Sequence, residues 1–177
     1  VEDKAGNRAE SERRAFTYLD TRFSWKKITR DGVILSWYRG DESLGGELLD
    51  SAVKAQQRLV QEFGVQRKPA QIFVYGSYDD LRSGIGESAR EWTGGRAYTE
   101  YDVVLIGVPP GEGEFGQRAV AHEFAHLIIH RATTNPFAGL PRWLDEGLAM
   151  WAEGPLEDEF SRALNQGLKS SQLFSLR

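Results

Sequence analysis

His122-Glu123-Phe124-Ala125-His126, followed by Pro141-Arg142-Trp143-Leu144-Asp145-Glu146-Gly147-Leu148-Ala149, is the stretch around which the rest of this sequence is organised. Apolar residues surround the first segment at helical spacing (Ala119, Val120, Phe124, Leu127, Ile128), so it reads as a helix. Residues four apart on a helix are separated by about 400° of rotation, which puts His122 and His126 on one face, one turn apart. Two imidazoles so placed are half of a zinc coordination shell. Glu123 lies about 100° from His122 and about 60° from His126, close enough to touch water on the ion but badly placed to displace it. It is the candidate general base.

A zinc ion that activates water needs a third protein ligand and one open position. Glu146 is the candidate ligand. It stands 20 residues after His126 in a second helical pattern entered through Pro141, where Gly147 and Ala149 leave little bulk against a neighbouring helix. At ordinary frequencies, about 2% His and 6% Glu, a His-Glu-x-x-His pattern arises by chance in about one chain of this length in a hundred. The apolar helix around it and the downstream Trp-x-x-Glu-Gly-x-Ala segment lower that figure further. Asp145 is not counted as a ligand, although a carboxylate there could orient a ligand histidine. His130 would lie about 6 Å further along the helix axis than His126 and reads as a cation favoured by the helix dipole. The zinc helices that take a third histidine ten residues after the first find Ala132 at that position here.

The two motifs resemble those of the gluzincin metallopeptidases, and specifically the compact bacterial peptidase MA-like domains. Residues 35–41, 72–75, 94–98 and 135–141 carry weaker parts of the same resemblance. It implies a zinc metallopeptidase of α+β, zincin-like fold. A small, mostly antiparallel sheet would be packed with helices, and Zn2+ would sit between the His-Glu-x-x-His helix and a glutamate-bearing helix. His122, His126 and Glu146 would be the metal ligands, Glu123 the catalytic base, and a peptide or protein the substrate. The same resemblance implies a cleft strand within residues 96–107 that pairs with extended substrate, and an exported protein. It also implies further helices beyond a domain spanning 16–177. A tyrosine or histidine usually assists the oxyanion in such enzymes; Tyr98 and Tyr101 are candidates by position alone.

The chain has 177 residues, 40% hydrophobic and 11% aromatic, enough for one domain with a core of its own. A net charge of -4, with no run of positive residues longer than two, offers no basic field for nucleic acid or anionic membrane. Without cysteine there is neither a disulfide scaffold nor a thiolate zinc cluster, which leaves histidine and carboxylate ligation. No apolar stretch approaches the roughly 18 residues that span a bilayer. The sequence leaves the oligomeric state open.

Residues 1–15 are charged and poor in apolar groups, and read as a segment outside the fold. Two aromatic and β-branched runs, 22–30 and 33–39, flank Asp31-Gly32 and predict a hairpin whose aromatic face is core. Residues 44–63 predict an amphipathic helix closed by Gly64, and 71–75 a buried strand followed by a short helix opened at Ser77. Residues 83–95 read as a glycine-rich surface loop, 96–101 and 102–108 as a second hairpin, and 111–116 as a turn. The first metal helix is expected over 117–131, the second over 144–153 with Trp143 and Trp151 packed against the first, and a last helix over 156–168. Two other readings remain: a catalytically inactive peptidase-like binding module of the cell envelope, and a purely structural zinc, for which the chain lacks a nearby fourth ligand.

Overall fold

The computed structural model describes residues 19–85, 94–135, 139–156 and 158–170; the expected N-terminal segment 1–15, the loop residues 86–93 and the tail from 171 lie outside them. Asp31 and Gly32 take φ of 50° and 80°, the paired left-handed backbone of a type I′ turn, and join strand β1 (Lys26–Arg30) to β2 (Val33–Trp37). Asp41 then accepts a hydrogen bond from the Leu44 N–H and opens helix α1 (Glu42–Phe63), which Gly64 closes at φ 64°. Strand β3 (Ala70–Tyr75) and helix α2 (Tyr78–Ile85) follow, the latter opened by the Ser77 hydroxyl accepting from the Asp80 N–H. A second hairpin pairs β4 (Gly95–Tyr98) with β5 (Val103–Gly107), and helices α3 (Gly113–Thr133), α4 (Arg142–Glu153) and α5 (Asp158–Lys169) complete the fold. Helix α3 begins earlier than the apolar pattern indicates, because the Gly116 N–H already bonds the Glu112 carbonyl.

The five strands form one sheet in the order β1-β2-β3-β5-β4. Its centre corrects the expectation of a mostly antiparallel sheet: β2, β3 and β5 run parallel, and only the outer strands β1 and β4 are antiparallel to their neighbours. Parallel neighbours need a long crossover, and α1 supplies it between β2 and β3. The architecture is therefore mixed α/β.

Alternation along the strands sorts their side chains between two faces. Leu35, Ile72 and Val104 stand side by side in register and are fully buried against Leu48, Leu49, Leu59, Val120, Phe124 and Ile128 of α1 and α3. The opposite face carries Phe73 and Tyr75 beneath Leu81 of α2, with Phe23, Trp25 and Tyr38 packed around them; Phe23 stacks on Tyr38 with ring centroids 4.0 Å apart. Of the aromatic residues in the two hairpin runs, Trp37 is core, whereas Phe23, Trp25 and Tyr38 are half-buried, and Phe23 and Trp25 precede β1 instead of lying in it. Helix α3 is buried on several sides, by the sheet, α1 and α4, which suits apolar residues that are not confined to one stripe of it. Helix α5 buries none of its residues, and Phe160, Leu164 and Leu168 form an exposed row along it. No helix among the described residues is long and apolar enough to cross a membrane.

Leu49→Ala should destabilise the fold by about 2–5 kcal/mol in urea unfolding, because it empties a fully buried site while keeping a good helix former. Burial, together with the neighbouring carboxylates of Asp80 and Asp20, pushes the Tyr38 and Tyr75 phenols up from 10.0 to about 12. A folded pKa above the unfolded one means that their contribution is complete below pH 10 and is lost as pH rises toward 12. Unfolding midpoints measured across that window should fall, and the fall should be smaller in Tyr38→Phe.

Candidate metal centre

Helix α4 lies antiparallel to α3. His126 meets Asp145 near the start of α4, while His122 and Arg118 meet Glu153 at its end. The helices approach through Ala149 and Ala152, the buried residues of α4. Gly147 plays no part in this, since a Cβ there would meet open space. The tryptophans also depart from expectation. Trp143 and Trp151 are 54% and 44% exposed, and Trp151 stacks under the Arg58 guanidinium of α1, 3.7 Å from its ring centroid, rather than packing on α3.

This packing brings together the three residues singled out as ligands. One ligand atom from each of His122, His126 and Glu146 lies within 4.8 Å of the others, the one such group among the described residues. Glu146 Oε2 is 3.5 Å from His122 Nε2 and 4.0 Å from His126 Nε2. Both Nδ1 atoms are turned the other way. His122 Nδ1 lies 2.7 Å from Glu153 Oε1, and His126 Nδ1 lies 3.1 Å from Asp145 Oδ1. A proton held at each Nδ1 leaves both Nε2 lone pairs facing the Glu146 carboxylate, the donor arrangement that a divalent cation needs.

Glu123 extends from the same helix toward edge strand β4. Its side chain lies so close to Gly95 that a Cβ there would come within 2.6 Å of Glu123 Cγ, and the Ala97 N–H donates to its carboxylate. Burial raises the Glu123 pKa above the usual carboxylate range, and the nearby Glu146 charge adds to the rise against the opposing pull of His122 and His126. Burial alone would lower the pKa of His122, but the Glu153 hydrogen bond and the surrounding carboxylates outweigh it and leave the pKa raised. Glu153 moves the opposite way: its burial is outweighed by His122 and Arg118, and its pKa is lowered.

His130 sits exposed in the last turn of α3 and does not join the group. Tyr101 is 70% exposed in the β4–β5 turn, and Tyr98 lies beneath the Arg96 guanidinium. Sequence reasoning missed three residues that touch this centre: Gly95, read as loop, and the pair Glu153 and Arg118. Glu153 had a legible signal. It follows Glu146 by seven residues, two helical turns, and so shares its face.

A profile of the peptidase MA superfamily matches residues 51–177, from within α1 through both motif-bearing helices. The chain belongs to this superfamily, as the resemblance of its motifs to the gluzincin type implies. No curated protein matches its sequence. Membership points to a peptidase-like hydrolase and to metal dependence.

One divalent ion per chain should bind here. At a free concentration about 100 times Kd it should stabilise the fold by about 2.7 kcal/mol, and Glu146→Gln should abolish most of that gain in thermal unfolding.

Proposed function

We propose that this protein is a zinc-dependent metallopeptidase in which His122, His126 and Glu146 hold the ion and Glu123 is the general base. The observation that carries this reading is the convergence of the two Nε2 atoms and the Glu146 carboxylate beside the half-buried Glu123. Two imidazoles and one carboxylate suit zinc, and among the described residues no fourth histidine, cysteine or carboxylate joins them, as a catalytic rather than a closed structural site requires. Zinc bound there would lower the pKa of water to about 7 and polarise a peptide carbonyl.

Glu123 performs the proton transfers. Its carboxylate accepts a proton from the attacking water as the new C–O bond forms, then delivers it to the amide nitrogen as the C–N bond breaks. The raised pKa makes that carboxylate a stronger base for the first step. Among the described residues strand β4 ends the sheet beside this carboxylate, and an extended peptide laid along its outer edge would present a scissile bond to the site. Gly95 and Ala97 of β4 thus set the position of Glu123 on the side where substrate would enter.

Metal content and peptide cleavage, compared between wild type and Glu123→Gln, test the assignment. Stoichiometric zinc is expected in both proteins, with hydrolysis reduced by about 10²–10⁴-fold or more in the variant. Zinc in both with no hydrolysis by either would favour the inactive binding module, and zinc in neither would overturn the ligand set. Gly95→Ala should retain zinc and lose at least tenfold in kcat, because the added methyl collides with the base and not with a ligand.

A further inference from the structure

The Glu153 carboxylate is divided between two residues of α3. Oε1 takes the His122 Nδ1 contact at 2.7 Å, while Oε2 accepts from Arg118 Nε and Nη2 at 3.3 and 3.0 Å. Arg118 precedes His122 by one helical turn, so both side chains reach the same carboxylate from one face. Glu153 is in turn two turns beyond Glu146 on α4, about 10.5 Å along the axis and nearly eclipsed with it. One face of α4 therefore presents a carboxylate to each nitrogen of the His122 ring: Glu146 toward Nε2 and Glu153 toward Nδ1.

We propose that Glu153, held by Arg118, is a positioning residue that fixes the tautomer and aim of His122, so that docking α4 supplies one metal ligand and orients another. The inference rests on the metal-site reading above. A neutral imidazole carries one ring proton, and the acceptor at Nδ1 decides that it resides there, leaving Nε2 as the donor to metal. Arg118 constrains the Glu153 rotamer, since the guanidinium occupies the oxygen that His122 does not use. The arrangement is unequal between the two histidines. The Glu153 side chain is 16% exposed and 2.7 Å from its histidine, whereas that of Asp145 is 37% exposed and 3.1 Å away. The less exposed and shorter contact is the stronger, so His122 is the more firmly directed ring.

A merely structural Arg118–Glu153 ion pair would tie α4 to α3 without affecting the ring proton. Two measurements separate these roles. Zinc affinity by chelator competition should weaken about 10–100-fold in Glu153→Gln and further in Glu153→Leu. Arg118→Met should lose less, and the double variant Arg118→Met/Glu153→Gln should be no weaker than Glu153→Gln, because both changes act through one carboxylate. In the metal-free protein above neutral pH, long-range 15N–1H spectra should show His122 as the Nδ1–H tautomer in wild type and a mixture in Glu153→Leu. Circular dichroism would establish that each variant is folded, and Glu153→Gln serves if the leucine variant is not. Affinity within twofold of wild type in Glu153→Gln, or an unaltered His122 tautomer on loss of the carboxylate, would overturn the proposal. If the wild type takes up no zinc, the ligand assignment fails, and the tautomer spectra alone decide the role of Glu153.

Discussion

The close packing of α4 on α3 is the constraint on which this centre depends. Ala149 and Ala152 are the buried residues of α4, and the antiparallel alignment matches α4 carboxylates to α3 cations and imidazoles in sequence: Asp145 to His126, Glu146 to both histidines, Glu153 to His122 and Arg118. Such a row of partly buried charge is stable only when each member has a partner, because an isolated charge in that position carries the full desolvation cost. The centre and the helix interface are consequently one structure. A change that moves α4 would separate His122, His126 and Glu146 as well as disturb the packing.

The sheet has a separate role in the same site. Parallel strands β2, β3 and β5 form a base whose inner face is wholly apolar, and α3 lies across it with Phe124 and Ile128 buried. This seats the helix in one rotation, so that Glu123 emerges toward β4 while His122 and His126 emerge toward α4. Gly95 completes the fit. With φ outside the left-handed region, it is required there by the 2.6 Å approach of Glu123 and not by the conformation of the turn.

Much of this was legible in advance because it is local. The type I′ hairpin at Asp31-Gly32, the capped helix ending at Gly64 and the one-turn spacing of His122 and His126 follow from backbone preference and helical period alone. Asp145 was recognisable as a carboxylate able to orient a histidine, and it reaches His126 Nδ1. The errors lay where local rules are silent. Trp143 and Trp151 read as packed against the first metal helix, whereas they are 54% and 44% exposed and Trp151 lies under the Arg58 guanidinium of α1.

The sequence by itself determined which residues can bind metal and accept a proton, since those capacities are properties of side chains at a fixed helical spacing. The tertiary structure decided which of them meet. Strand order is set by crossover length and by competition between apolar faces, so the parallel centre of the sheet could not be read from strand periodicity. The contact of Glu153 with His122 spans 31 residues, and the contact of Gly95 with Glu123 joins a strand to a helix; neither leaves a local pattern. Both exist because two elements, each specified by its own short-range period, can bury their apolar faces together in only one relative placement.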